Sequence, residues 1–159
     1  MGRRRPPPRW ESMCSYCGCE AEPLITALMA DHAVLADLAY QARHALDGGD
    51  PSRGAPLIVA IAERFRLHSL KEEEGLFAEL AGAGAGEASL ELERLRGEHD
   101  RLREALGTQD LIYDVERCRD TLGELLAHAE TEDDDLFPYA LQLLPSDSWD
   151  RINDTAADA

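Results

Sequence analysis

Apolar residues recur at three- and four-residue spacing along four long stretches of this chain, and no stretch alternates with the period of a strand. The first opens at Glu22-Pro23, where a proline suits the first turn of a helix. It carries Leu24, Leu28, Leu35, Leu38 and Ala42 before the breaker Asp47-Gly48-Gly49-Asp50-Pro51. A second helix is expected from Pro56 to Leu80 through Ile58, Ile61, Phe65, His68, Glu72 and Phe77, followed by a Gly/Ala joint from Gly82 to Gly86. The third spans Glu87 to Leu106 through Leu92, Leu95, His99 and Leu102, with Gly107 as its cap. Asp110 is expected to cap the fourth, which passes through Val115, Leu122, Leu125, His128, Glu132 and Leu136 to Leu144, before Pro145. Residues 146–153 suit a short closing helix that lays Trp149 and Ile152 on a bundle end. Short loops between consecutive helices predict an all-α protein, an up-down-up-down four-helix bundle. The expected organisation is an N-terminal arm (residues 1–20), the bundle (21–145) and a C-terminal tail (146–159).

Four of the five histidines fall inside these stripes, and they repeat. His68 and His128 each have a glutamate four residues on, Glu72 and Glu132. The segment His68 to Phe77 aligns without a gap onto His128 to Phe137, each ending in Leu-Phe. The single histidines match too, Asp31-His32-Ala-Val-Leu35 against Glu98-His99-Asp-Arg-Leu102. Residues four apart on an α-helix are separated by about 400° of rotation, so His and Glu at that spacing share a face and reach toward one point. Each histidine lies close to its helix's expected midpoint, so antiparallel helices would bring all four rings to the waist. Imidazole suits zinc, copper, iron and nickel, whereas carboxylates favour harder ions and bridge two of them. Four imidazoles with two carboxylates exceed the needs of one tetrahedral zinc and suit two iron-sized ions between facing helices. Burying Glu72 and Glu132 without a cation would be costly. A lone histidine on an apolar face is ordinarily a hydrogen-bonded core residue, but that does not explain four at one level. The expected metal ligands are therefore His32, His68, Glu72, His99, His128 and Glu132.

His44, about 120° around the first helix from His32, is expected on the surface. The other carboxylates of Glu72-Glu73-Glu74 and Glu132-Asp133-Asp134-Asp135 should face water or hold the ligating imidazoles from outside. Asp133 competes with Glu132 but lies about 140° around the helix from His128.

Composition adds exclusions. The chain has 159 residues, 44% of them hydrophobic and only 6% aromatic, which suits a Leu/Ala-rich helical domain with a substantial core. The formal net charge of −16 persists despite the local run Arg3-Arg4-Arg5 and Arg9, and such a surface repels nucleic acid and anionic membrane. No apolar run is long enough to span a membrane. The arginine-rich start continues into Pro6-Pro7-Pro8 rather than an apolar segment, so a cytoplasmic location is expected, with Met13 a second candidate start of translation. Cys14, Cys17 and Cys19 crowd into six residues, a density that points to metal or redox use. Three thiolates fall one short of a four-cysteine site. Zinc, an iron–sulfur cluster, a thiol pair reducing an iron centre and a simple reduced tail all stay open. Cys118 reads as an ordinary helical residue.

With these residues in view, the stretch from Pro23 to Pro145 resembles the hemerythrin-like, HHE cation-binding family. The resemblance rests on the order His, His-x3-Glu, His, His-x3-Glu, with Leu-Phe after each pair. It implies a four-helix bundle around two non-haem irons, bridged by the two glutamates and an oxo or hydroxo group. His32, His68, Glu72, His99, His128 and Glu132 would be the ligands. Oxygen-carrying members place two histidines four apart on the third helix, whereas here Leu95 and Arg103 stand around His99. One iron would then lack a protein nitrogen. That counts against reversible oxygen carriage and leaves a position suited to peroxide, nitric oxide or redox chemistry.

The expected function is a di-iron protein that binds or turns over a small oxidant such as O2, peroxide or NO. The alternative is a non-catalytic iron or oxygen sensor, whose metal site orders the bundle and presents the Cys-rich arm to a protein partner. Metal storage is disfavoured by a single buried site without a cage-forming signature.

Overall fold

The structure, a computed structural model, describes residues 22–83 and 86–157, and every regular element among them is helical. Helix α1 covers Pro23–Asp47. A second rod consists of α2 (Pro51–Lys71), a π-helical turn (Glu72–Leu76) and α3 (Phe77–Gly82). Helix α4 (Gly86–Gly107) is the third rod. The fourth repeats the build of the second: α5 (Val115–Thr131), a π-helical turn (Glu132–Leu136) and α6 (Phe137–Leu143). Helix α7 (Ser146–Ala157) closes the chain. Packing runs in a ring, α1 on α2, α2 on α4, α4 on α5 and α5 on α1. Among the described residues no helix is long and apolar enough to cross a membrane.

Several boundaries differ from the sequence reading for local reasons. The second rod starts at Pro51 rather than Pro56, because the breaker itself supplies the helix start: the Asp50 side chain accepts from Arg53 N at 3.0 Å and Pro51 takes the first position. The reversal from α1 therefore needs only Gly48, Gly49 and Asp50. Gly49 adopts φ 73°, and Asp50 N donates back to Ala45 O at 2.9 Å. The two helices leave this turn in close contact, since a Cβ on Gly54 would lie 2.8 Å from Leu46 Cδ2.

Asp110 does not cap the fourth rod. It precedes a 3-10 turn, Leu111–Tyr113, which Leu111 pins by full burial, and the cap is Asp114, accepting from Arg117 N at 3.0 Å. The closing helix runs past residue 153, and Trp149 and Ile152 are buried as expected.

The apolar side chains form two clusters. One joins Leu24, Ile25 and Leu28 at the start of α1 to Leu76, Phe77 and Leu80, to Leu92 and Leu95, and to Leu136 and Phe137, with Trp149 and Ile152 packed in from α7. The other joins Leu35 to Leu46, Ile58 to Phe65, Leu102 and Leu106, and Leu111 to Leu125. Most of the buried polar residues lie in the sequence intervals between the two sets: Asp31 and His32, His68 to Glu72, His99, and His128 to Glu132, with Thr121 and Ser148 outside them.

Asp114→Ala should cost about 1 kcal/mol of unfolding free energy, measured by urea denaturation, and Asp110→Ala should stay within about 0.5 kcal/mol of wild type. The reverse order would contradict the assignment.

Candidate metal centre

The structure brings all six sequence-predicted side chains together. His68, His99, Glu72 and Glu132 are fully buried, and His32 and His128 are 4% exposed. The Nε2 atoms of His32 and His68 face each other at 3.0 Å. Around them, Glu132 Oε2 lies 3.3 Å from His32 Nε2 and 3.8 Å from His68 Nε2, and Glu72 Oε2 lies 3.4 Å from His68 Nε2. On the other side Glu132 Oε1 is 3.2 Å from His128 Nε2 and 3.5 Å from His99 Nε2, and Glu72 Oε2 is 3.3 Å from His99 Nε2. Two groups result: His32, His68, Glu72 and Glu132, and His99, His128, Glu72 and Glu132. Within each, one ligand-capable atom per residue lies within 4.8 Å of the others. Both glutamates belong to both groups.

This arrangement fits a metal and fits little else. Both oxygens of Glu72 and of Glu132, and Nε2 of His99 and His128, are buried without a hydrogen-bond partner among the described residues. Buried polar atoms are ordinarily paired, and an unpaired carboxylate is the costliest exception. Two imidazoles and two carboxylates form a donor set suited to a first-row divalent ion.

Apolar rings enclose the polar layer, and the chain's three phenylalanines are all used. Phe77 stacks on His99 at 5.5 Å between centroids and Phe137 on His32 at 5.8 Å, so each Leu-Phe of the repeat covers a single histidine from one side. Phe65 meets the rings of His68, His99 and His128 at 5.7–6.2 Å from the other.

The π-helical turns are the feature that sequence reasoning missed. Phe77 N bonds to Glu72 O and Phe137 N to Glu132 O, five residues back. Such insertions are rare and concentrate at functional sites. In each of these turns two consecutive acidic residues serve the same layer. Glu72 and Glu132 point into the centre, while Glu73 Oε1 accepts from His99 Nδ1 at 2.8 Å and Asp133 Oδ1 from His32 Nδ1 at 2.8 Å. Asp133 is therefore no competitor of Glu132; it holds a histidine on another rod. Glu98 Oε2 accepts from His128 Nδ1 at 3.0 Å. The alignments of Glu73 with Asp133 and of Asp31 with Glu98 were the available signal. Glu74, Asp134 and Asp135 are exposed.

Arg103, the residue that stands out on the third rod, donates to Glu73 Oε1 at 2.9 Å, to Ser69 Oγ at 2.8 Å and to Asp100 Oδ1 at 2.7 Å. It steadies the carboxylate that orients His99. Leu95 is buried in the apolar cluster. Each group thus has two imidazoles, so the histidine missing from the third rod leaves the groups alike instead of depriving one. His44 is exposed. Cys118 is buried, its thiol pushed up by burial and by Asp114, which suits an unreactive residue. Cys14, Cys17 and Cys19 lie outside the described residues.

Burial opposes charging His32, but the Asp133 hydrogen bond and Glu132 raise it to about 10; burial likewise opposes His99, which Glu132 and Glu72 raise to about 10. Burial would push Glu132 up, yet His32, His68, His99 and His128 hold it well below the usual carboxylate range. Without metal, the surroundings thus favour the imidazolium form of His32 and His99 and the carboxylate form of Glu132.

Comparison with known families gives a match of residues 24–140 to the hemerythrin HHE cation binding domain. Comparisons with curated proteins and with solved structures gave no match.

The raised histidines set a pH dependence for the metal-free protein. Their contribution is complete below their ordinary value of 6.5 and is lost as pH climbs through about 10. The melting temperature of chelator-treated protein should therefore fall from pH 6.5 to 10. Metal affinity should rise over the same range, because bound ions displace those protons. A melting temperature that climbs with pH would contradict these shifts.

Proposed function

The chain belongs to the hemerythrin HHE cation-binding domain family, and from that premise we propose a di-iron protein that reacts with a small oxidant: O2, peroxide or nitric oxide. The observation that carries this reading is the sharing of Glu72 and Glu132 between two histidine pairs. One ion in either group would leave the other pair of imidazoles without a partner. An up-down-up-down bundle accounts for the arrangement, because the two apolar clusters join the starts of the first and third rods to the ends of the second and fourth, and the reverse.

His32 and His68 would hold one iron, His99 and His128 the other, with Glu72 and Glu132 spanning both. Bound iron supplies the electrons that reduce the oxidant. The chain's own residues set the conditions. Asp133, Glu73 and Glu98 fix His32, His99 and His128 with Nε2 turned inward, which fixes the tautomer and raises the basicity of each ring. Phe65, Phe77 and Phe137 pack around the histidines and shield them from bulk water. The site proposed here lies in the interior of a strongly acidic chain, which disfavours anionic reactants.

The orphaned carboxylates also favour a second reading, an iron sensor. A bundle that buries Glu72 and Glu132 without a cation is destabilised, so metal would order it and change how the N-terminal arm is presented to a protein partner.

Protein loaded anaerobically with ferrous iron should hold two ions per chain. Stopped-flow mixing with peroxide, O2 or NO should produce charge-transfer absorption in the near ultraviolet. Glu132→Ala should lower iron content to below one per chain with helix content retained. No spectral change with two irons bound would eliminate the oxidant chemistry. If metal alters neither circular dichroism nor protease sensitivity of the arm, sensing by folding fails.

A further inference from the structure

The centre has an internal symmetry, broken at one corner. The repeat pairs Asp31 with Glu98, His32 with His99, His68 with His128, Glu72 with Glu132 and Glu73 with Asp133. Under that pairing each imidazole has one outer carboxylate. Glu73 serves His99 as Asp133 serves His32, and by the same rule Asp31 should serve His68 as Glu98 serves His128. Three of these contacts are hydrogen bonds of 2.8–3.0 Å. The fourth is not: Asp31 Oδ2 stands 3.8 Å from His68 Nδ1, and that nitrogen is buried without a hydrogen-bond partner among the described residues.

Three departures from the repeat meet there. Aspartate replaces glutamate, so Asp31 is one methylene shorter than Glu98. Arg64 stands where the second half has Glu124, and Lys71 where it has Thr131. Arg64 Nη2 donates to Asp31 Oδ1 at 2.7 Å and Lys71 Nζ to Oδ2 at 3.4 Å, so both oxygens are held by cations from α2. Glu98 also meets an arginine, Arg94, but through Oε1, which leaves Oε2 for His128.

We infer that Asp31 is a positioning carboxylate withheld from His68 by Arg64 and Lys71, which makes the His32/His68 half the weaker of two metal sites. It fills last and empties first. The physical reason is that an imidazole whose Nδ1–H lacks an acceptor is a poorer donor at Nε2 and is less firmly oriented; loss of such a partner lowers metal affinity by about 10- to 100-fold. The inference rests on the dinuclear reading above.

Titration of metal-free protein with cobalt(II), followed by its visible absorption and by equilibrium dialysis, tests it without recourse to activity. Two ions should bind in steps separated by about 10- to 100-fold. Asp31→Glu restores the length of Glu98 and should tighten the weaker step by about tenfold or more, leaving the tighter one in place. The double variant Arg64→Gln/Lys71→Gln, which frees Asp31 without lengthening it, should move the same step in the same direction, and circular dichroism checks that both variants fold. His68→Ala should lose the weaker step and keep the tighter. Two ions binding with one constant in the wild type would overturn the inference, as would variants that leave the weaker step unmoved. Fewer than two ions at saturating cobalt would instead overturn the dinuclear reading itself.

Discussion

Two carboxylates and four imidazoles meet in the apolar middle of the bundle, with seven of their polar atoms left without hydrogen-bond partners among the described residues. That is an expensive arrangement, and much of the surrounding structure compensates for it. Asp133, Glu73 and Glu98 turn three imidazoles inward, Arg103 and Arg94 hold two of those carboxylates, and three phenylalanines close the space around them. A cation is the one partner that would satisfy the inward-facing atoms together.

The π-helical turns show how backbone and site are coupled. A wider turn begins at the glutamate of each His-x3-Glu pair; that glutamate points in, and the acidic residue after it reaches to the next rod. The ring of helices is then linked twice in each half, by apolar contact and by carboxylate–imidazole bonds that cross between rods.

The fold was largely legible because helical periodicity is explicit here: Leu24, Leu28 and Leu35, or Leu92, Leu95 and Leu102, mark one face each, and Gly48-Gly49 marks a turn. The six central residues were legible for the same reason, since His68/Glu72 and His128/Glu132 share a face at four-residue spacing. What stayed hidden depended on tertiary context. Asp110 was the expected cap, and the 3-10 turn pinned by buried Leu111 moves the cap to Asp114. A π turn has no compositional mark, and spacing alone does not say that Glu73 serves His99 and Asp133 serves His32. Whether Asp31 serves His68 depends on Arg64 and Lys71, 33 and 40 residues away in sequence.

Anomalous X-ray diffraction at the iron edge, from crystals grown anaerobically with ferrous salt, bears most directly on the centre. Two peaks per chain are expected, one bounded by His32 and His68 and the other by His99 and His128, with Glu72 and Glu132 touching both. A single peak, or iron bound elsewhere while these six side chains enclose none, would contradict it.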